Sequence, residues 1–242
     1  MLKSSALLSR LQDEANELIP ECAIRVGQES PAWSEISTAN IEHLHNYLSL
    51  QYPEAGARYW RSRGWGLLIW QPIYLAVIAA HKCQMILPLT EMGQDFLGSG
   101  IPSGVLFRRC QFTHGQINDC VQRMAEDLTI GYRNVYSCWR ISGLTRKNAD
   151  RVVADCVLSA LLMVYPRQVK VVEELGDLWL ASMDLQEAAG FIRYKNMSGE
   201  PRLALEKKNC CFRYLCQGRT PCDVCPRQTM VERLQRLSQT SA

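Results

Sequence analysis

The chain has 242 residues, of which 47% are hydrophobic and 21% are charged, a composition typical of a globular protein and not of a disordered or fibrous one. Its length allows one large domain, or one domain with a small appendage. The 27 basic and 24 acidic residues give a net charge of +3, so the charge balance alone does not indicate binding to nucleic acid or to a membrane surface.

Most of the chain has apolar residues at helical spacing. The predicted helices cover residues 5–18, 37–52, 55–63, 66–83, 117–139, 145–164, 169–179 and 229–237. The segments 55–63 and 66–83 are either two helices or one helix kinked at Gly64 and Pro72. Residues 84–113 break the helical pattern, which predicts short strands at 85–87 and 104–112 joined by loops. Beyond Gly190 the chain is polar, and we expect irregular structure there.

These elements predict a mainly α fold. A helical body, residues 1–205, contains a short β and loop insertion, and a cysteine-rich segment with a terminal helix, residues 206–242, follows it. The apolar run 65–80 is shorter than the roughly 20 residues of a membrane span. The N-terminus lacks the apolar region of a secretion signal, because Arg10, Asp13 and Glu14 follow too early. We therefore expect a cytoplasmic protein whose cysteines stay reduced.

Cysteine is the outlier of the composition, with 11 residues. An odd number cannot pair completely within one chain. Single cysteines in helical settings usually behave as small hydrophobic residues, and we expect this of the six that are scattered along the body. They are Cys22, Cys83, Cys110, Cys120, Cys138 and Cys156.

The other five cysteines lie close together near the C-terminus, at Cys210, Cys211, Cys216, Cys222 and Cys225. Four of them form the pattern Cys-Cys-x10-Cys-x2-Cys, which omits Cys216. Gly218 and Pro221 favour a turn that returns the second pair to the first. Proline follows the last thiolate, as it often does in iron–sulfur sequences.

This spacing favours an iron–sulfur cluster but leaves two alternatives open. Zinc ribbons usually use two pairs of the C-x2-4-C type, whereas Cys210 and Cys211 are adjacent and point apart in an extended chain. Such a pair suits the two irons of a [2Fe–2S] cluster better than one tetrahedral zinc ion. A redox dithiol is less favoured, because no strand and helix flank Cys222 and Cys225.

The segment 206–227 resembles the C-terminal signature of FhuF-like siderophore ferric-iron reductases. The resemblance implies a largely helical body and a [2Fe–2S] cluster held by Cys210, Cys211, Cys222 and Cys225. It gives Cys216 no role. It also implies a one-electron reduction of Fe(III)–siderophore in the cytoplasm, with release of Fe(II), and it allows peripheral association with the inner membrane near a siderophore importer.

The expected substrate is a ferric siderophore, bound in a cleft between the helical body and the segment 206–227. Arg213 and Arg219 are the nearest candidate contacts in sequence. Trp60, Arg61 and Arg63 are candidates from the body, although an amphipathic helix with a basic face also explains their pattern. We do not expect a nucleic-acid partner.

No G-x-G-x-x-G follows a strand, so the sequence does not predict a Rossmann site for NAD(P) or FAD. Electrons would come from a separate donor protein or a small reductant. Two other functions remain open at this point. One is a binding module stabilised by a structural zinc knuckle, and the other is an iron–sulfur sensor without catalytic activity.

Overall fold

The computed structural model describes residues 4–27, 32–108 and 111–239. The chain is 58% helical with small sheets, which confirms the mainly α prediction. The helices of the described residues are α1 (Ser4–Leu18), α2 (Thr38–Gln51), α3 (Gly56–Ile78), α4 (Ile117–Cys138), α5 (Arg146–Val164), α6 (Val169–Ser182) and α7 (Met230–Ser238).

Helix α3 is the central element of the core, and it is one continuous helix that extends into a π-helical turn, Ala79–Cys83. Pro72 has no N–H, so the carbonyl of Leu68 loses its intrahelical partner. Gln94 replaces that partner, because its Nε2 donates to the Leu68 carbonyl at 3.1 Å. This side-chain hydrogen bond explains how α3 contains a buried proline without ending there.

The stretch Pro53–Cys83 is long and apolar enough to cross a membrane by length and composition. Its most apolar part is 83% buried inside the protein. A buried core helix of a globular protein has the same length and composition, so this stretch carries no conclusion about a membrane.

Three small sheets accompany the helices in the part of the chain that the structure describes. Strands β1 (Ala23–Val26), β3 (Met92–Phe96) and β4 (Pro102–Phe107) form one sheet in the order β1-β4-β3, with β1 parallel to β4 and β3 antiparallel to it. Strands β2 (Met85–Ile86) and β5 (Thr113–His114) pair antiparallel. The predicted insertion at 84–113 therefore contains strands, although β1, β3 and β5 were not predicted.

The expectation of irregular structure beyond Gly190 was wrong for residues 190–206. This segment forms an antiparallel hairpin of β6 (Gly190–Lys195) and β7 (Pro201–Glu206). Its turn is held by Asn196, whose Oδ1 accepts hydrogen bonds from the backbone N–H groups of Ser198 and Glu200 at 3.1 and 2.9 Å. Phe191, Leu203 and Leu205 pack on the main core, Ile192 and Ala204 pack against α7, and Arg193 and Lys195 are exposed.

The hairpin connects the cysteine-rich segment to the body. Ile192 of β6 and Ala204 of β7 form a small apolar cluster with Leu237 of α7, against which Val224 packs. A second cluster joins Cys216 to Tyr59 of α3. The segment is thus packed on the body at both ends, and a domain boundary at residues 205 and 206 stays a prediction.

The core prediction for the single cysteines is confirmed where the structure describes them. Cys22, Cys83 and Cys120 are buried, and Cys138 and Cys156 pack half-buried against the same core. Cys110 lies outside the described residues.

Candidate metal centre and adjoining cavity

The backbone after β7 turns twice and brings the two cysteine pairs together. Phe212 adopts a left-handed conformation, with φ 57°, and precedes a 3₁₀ turn, Arg213–Leu215. Gly218 has φ +71° and open space around it, a backbone conformation that glycine adopts without strain. The Cys225 N–H then donates to the Cys222 carbonyl at 2.9 Å, which closes the C-x2-C turn.

The four cysteines meet as two nested pairs, with the inner pair Cys211 and Cys222 and the outer pair Cys210 and Cys225. Cys210 Sγ lies 3.9 Å from Cys225 Sγ, and the side chains of Cys211 and Cys222 are hydrogen-bonded to each other. The two adjacent residues therefore belong to different pairs. Each iron of a [2Fe–2S] cluster takes two thiolates, so two separate pairs match that donor set.

All four residues line one hollow of about 340 Å³, which we call the cysteine cavity. Within the part of the chain that the structure describes, no group of three or more His, Cys, Asp or Glu side chains is arranged around one metal ion. Four thiols in two pairs are the number and type of donors that a [2Fe–2S] cluster takes, and the identity of the cofactor stays a prediction.

The environment of the Cys211–Cys222 pair favours loss of its first proton. The hydrogen bond from Cys222 lowers the pKa of Cys211 most, and the Arg213 N–H and the Lys207 ammonium lower it further against the effect of burial. The same hydrogen bond raises the pKa of Cys222. One proton is therefore shared by the pair, and a thiolate, the form that binds metal, is available.

A second hollow of about 410 Å³ lies between α3, α5 and the cysteine-rich segment, and we call it the large cavity because it is larger than the cysteine cavity. Tyr59 and Tyr74 of α3 contribute aromatic rings to its wall, and Asp155 and Ser159 of α5 contribute polar groups. The two cavities have a common wall, because the same four residues line both. These residues are Cys210, Cys211, Arg213 and Arg219.

The predicted substrate residues separate into two groups in the structure. Arg63, Arg213 and Arg219 line the large cavity. Trp60 does not, because its Nε1 donates to the Tyr52 carbonyl at 2.7 Å and its ring packs edge-on against His45.

Arg61 lies against Gly143 and lines a separate, smaller hollow. Successive residues of a helix are rotated by about 100° around its axis. The side chains of Trp60 and Arg61 therefore leave α3 in directions that differ from that of Arg63. We retain neither Trp60 nor Arg61 as a substrate contact.

Cys216 does not line the cysteine cavity. It is buried against Ala55 and Tyr59 and forms part of the wall of the large cavity. Burial raises the pKa of Tyr59 to about 12, and a hydrogen bond between its hydroxyl and Cys216 adds to this effect. Cys216 thus packs against α3 and the residue that precedes this helix, whereas the four paired cysteines line the cysteine cavity.

Asp155 and Lys207 are polar residues of the large cavity whose roles the sequence did not reveal. Asp155 is buried on α5, and burial raises the pKa of its carboxyl to about 7, while Lys207 lowers it and Cys211 raises it. The sequence feature that could have indicated Asp155 is its position directly before Cys156, beside an otherwise apolar helical stripe.

Comparison with known proteins gives no family assignment. No family model matches the chain, and no solved structure is significantly similar to it. Any assignment of function therefore depends on the cysteine spacing and on the geometry of the two cavities.

Proposed function

We propose that this protein is a cytoplasmic ferric-siderophore reductase that holds a [2Fe–2S] cluster on Cys210, Cys211, Cys222 and Cys225. The short resemblance of residues 206–227 to FhuF-like reductases suggests this chemistry. The observation that carries the proposal is the common wall of the two cavities. A cofactor in the cysteine cavity would be next to any molecule in the large cavity, separated from it only by the side chains of that wall.

Reduction is a direct way to release iron from a siderophore. The oxygen ligands of these chelators are hard donors that suit Fe(III), and they hold Fe(II) much more weakly. When bound, the cluster supplies single electrons, at about −400 mV if it behaves as a plant-type centre. A separate protein or a small reductant replaces each electron. The protein associates peripherally with the inner membrane near a siderophore importer.

The residues of the large cavity suit a bulky, polar ligand. Arg63, Arg213 and Arg219 create a positive potential that attracts an anionic chelate. Tyr59 and Tyr74 offer apolar ring surface with polar edges. Lys207 lies close enough to Cys211 and Cys222 for each to raise its pKa, and its charge would offset part of the negative charge of a thiolate-bound cluster.

Turnover of a ferric siderophore tests the proposal. The anaerobically purified protein, supplied with a low-potential electron donor, should produce Fe(II) that a ferrous chelator traps as a coloured complex. Cys222→Ser should abolish this turnover, because a hard serine oxygen replaces a soft thiolate. The matched control, Cys138→Ser, should retain it, because Cys138 lines neither cavity.

Two outcomes would replace the proposal with the alternatives. A colourless protein with one bound zinc and no turnover would indicate a zinc-stabilised binding module. A coloured iron–sulfur protein that transfers no electron to any ferric siderophore would indicate a sensor.

A further inference from the structure

Residues 206–242 contain the excess positive charge of the whole chain. Seven basic and three acidic residues give this segment a net charge of +4. Because the complete chain has a net charge of +3, residues 1–205 together have a net charge of −1. The attraction of the protein for an anionic partner is therefore concentrated on the segment that contains the paired cysteines.

Three arginines border the cysteine cavity, and none of them has an ion pair among the described residues. Arg213 and Arg219 line the cavity. The guanidinium carbon of Arg227 lies 5.3 Å from the ring centre of Tyr214, which also lines it. Asp223, the one carboxylate of the described lining, already pairs with an arginine of α7 at 3.8 Å. We call Arg213, Arg219 and Arg227 the cationic rim.

Cys222 is the exposed member of the four paired cysteines. It lines the cysteine cavity but not the large cavity, so it is reached from solvent without passing through the large cavity. An electron carrier must come close to the cofactor, because the rate of electron transfer falls steeply with distance. A carrier at Cys222 could therefore deliver an electron while a chelate occupies the large cavity.

Two exposed apolar side chains lie at the start of α7, close to Cys222. Met230 is 40% exposed and Val231 is 74% exposed, and they are the first two residues of this helix. Gln228, which precedes them, donates from Nε2 to the Cys222 carbonyl at 2.7 Å. Methionine and arginine are both enriched in protein interfaces, and exposed apolar surface gains free energy when a partner covers it.

We propose that the cationic rim, Cys222 and the start of α7 form the docking surface for an acidic protein that carries single electrons. The carrier loses one electron, the cofactor gains it, and no proton or other atom is transferred. This inference rests on the proposed function, because it takes the paired cysteines as cluster ligands. It identifies the electron donor as a protein and not a small reductant.

A protein donor accounts for features that a small reductant does not need. Access to Cys222 is sufficient for a small molecule, whereas a cationic rim speeds the encounter with an acidic protein and orients it. Complexes of electron carriers are small, and they commonly bury less than about 1,200 Å². Three arginines and two apolar side chains beside the exposed cysteine suit an interface of this size.

A flavodoxin with an acidic surface is the probe, because its flavin spectrum differs from that of an iron–sulfur cluster. Calorimetry measures the binding of oxidised flavodoxin to the intact, anaerobically purified protein, and this measurement requires no electron transfer. Stopped-flow spectra then follow the reduction of the cluster. In that step the flavin hydroquinone anion loses one electron and becomes the neutral semiquinone, and the cluster gains the electron.

Arg227 is the residue to change, because it is exposed and lines neither cavity. Arg227→Glu should weaken flavodoxin binding by about tenfold at low salt, and Arg227→Gln should weaken it less. Both effects should shrink at high salt, which screens exposed charges. The control is Lys170→Glu in the first turn of α6, which changes the charge equally at another exposed position. This control should bind flavodoxin as the wild type does.

The apolar part of the surface has its own test. Val231→Ser should weaken flavodoxin binding by about threefold to tenfold at low and high salt alike, because apolar contact area is lost and no charge changes. Met197 lies in the turn between β6 and β7 and is 73% exposed. Met197→Ser is therefore a control of matched exposure, and it should leave the binding unchanged.

The kinetics separate docking from damage to the site. Reduction of the cluster by flavodoxin hydroquinone should be about tenfold slower in Arg227→Glu at low salt. Reduction by dithionite, which needs no docking surface, should have the same rate in Arg227→Glu and wild type.

Three results would overturn the inference. These are no binding of flavodoxin by the wild type, including the case in which vesicles of anionic phospholipid bind instead, equal weakening by Arg227→Glu and Lys170→Glu, and slower reduction by dithionite in Arg227→Glu. Ferric-siderophore turnover with a small reductant but without flavodoxin binding would overturn the inference alone. Flavodoxin binding that depends on Arg227, without turnover of any ferric siderophore, would overturn only the proposed reductase function.

Discussion

Acidification should destabilise the protein through His81. This residue is 8% exposed, and it lies in the π-helical turn that follows α3. Its Nε2 accepts a hydrogen bond from Trp179 Nε1 at 2.9 Å, which requires that nitrogen to be unprotonated. Burial lowers the pKa of His81 from 6.5 to about 4.

The size and direction of the effect follow from this shift. Between pH 6.5 and 4 the unfolded chain binds a proton at His81 that the folded chain does not bind, so the free energy of unfolding decreases as the pH falls. The contribution of His81 is complete above pH 6.5 and is lost as the pH falls to 4. A difference of about 2.5 pKa units corresponds to about 3 kcal/mol, of which about 2 kcal/mol is lost between pH 7 and pH 5.

Urea unfolding of wild type and His81→Gln at pH 7 and pH 5 measures this contribution. The comparison between the two proteins is necessary because Asp155 acts in the opposite direction: burial raises the pKa of its carboxyl to about 7, which adds stability as the pH falls. The stability of His81→Gln relative to wild type should improve by about 2 kcal/mol between pH 7 and pH 5. The control, His114→Gln on exposed β5, should follow the wild type. An unchanged difference between wild type and His81→Gln would refute the account of this residue.

Two further predictions concern the cavity and the core. Charge reversal of Arg213 and Arg219 should weaken reduction of an anionic ferric siderophore more than reduction of a neutral one, with the cluster spectrum unchanged. The loss of activity should be smaller at high salt, where exposed charges are screened. Equal losses for every chelate would exclude a substrate-facing role. Gly131→Ala should lower the free energy of unfolding by about 1–3 kcal/mol in urea titrations, because a Cβ there would lie 2.1 Å from Trp33 Cζ2. Gly98→Ala, with nothing within 4 Å of its Cβ, is the control, and an equal effect of both substitutions would contradict the packing argument.

The helices could be predicted from the sequence because their signals are local. Thr145 caps α5 by accepting from the Asn148 N–H, and Thr229 forms a capping box with Glu232 at α7. The continuity of α3 through Pro72 could not be predicted, because it depends on Gln94, which is distant in sequence. The parallel pairing of β1 with β4 is equally non-local.

The candidate site was partly predictable for the same reason. The spacing of the cysteines is local, and Arg213 and Arg219 lie between the two pairs, so their place beside the cysteine cavity follows from the sequence. Asp155 is brought to the large cavity by the packing of α5 against α3 and β7. A residue that reaches a site only through tertiary packing carries little signal in a single sequence.

Metal and sulfide analysis of the anaerobically purified protein, with its visible absorption spectrum, tests the central claim most directly. The account predicts a red-brown protein with two iron atoms and two acid-labile sulfides per chain, the composition of a [2Fe–2S] cluster. The colour should be lost in Cys222→Ser and kept in Cys216→Ser. A colourless protein with one zinc ion, or a cluster that needs Cys216 and tolerates the loss of Cys222, would contradict it.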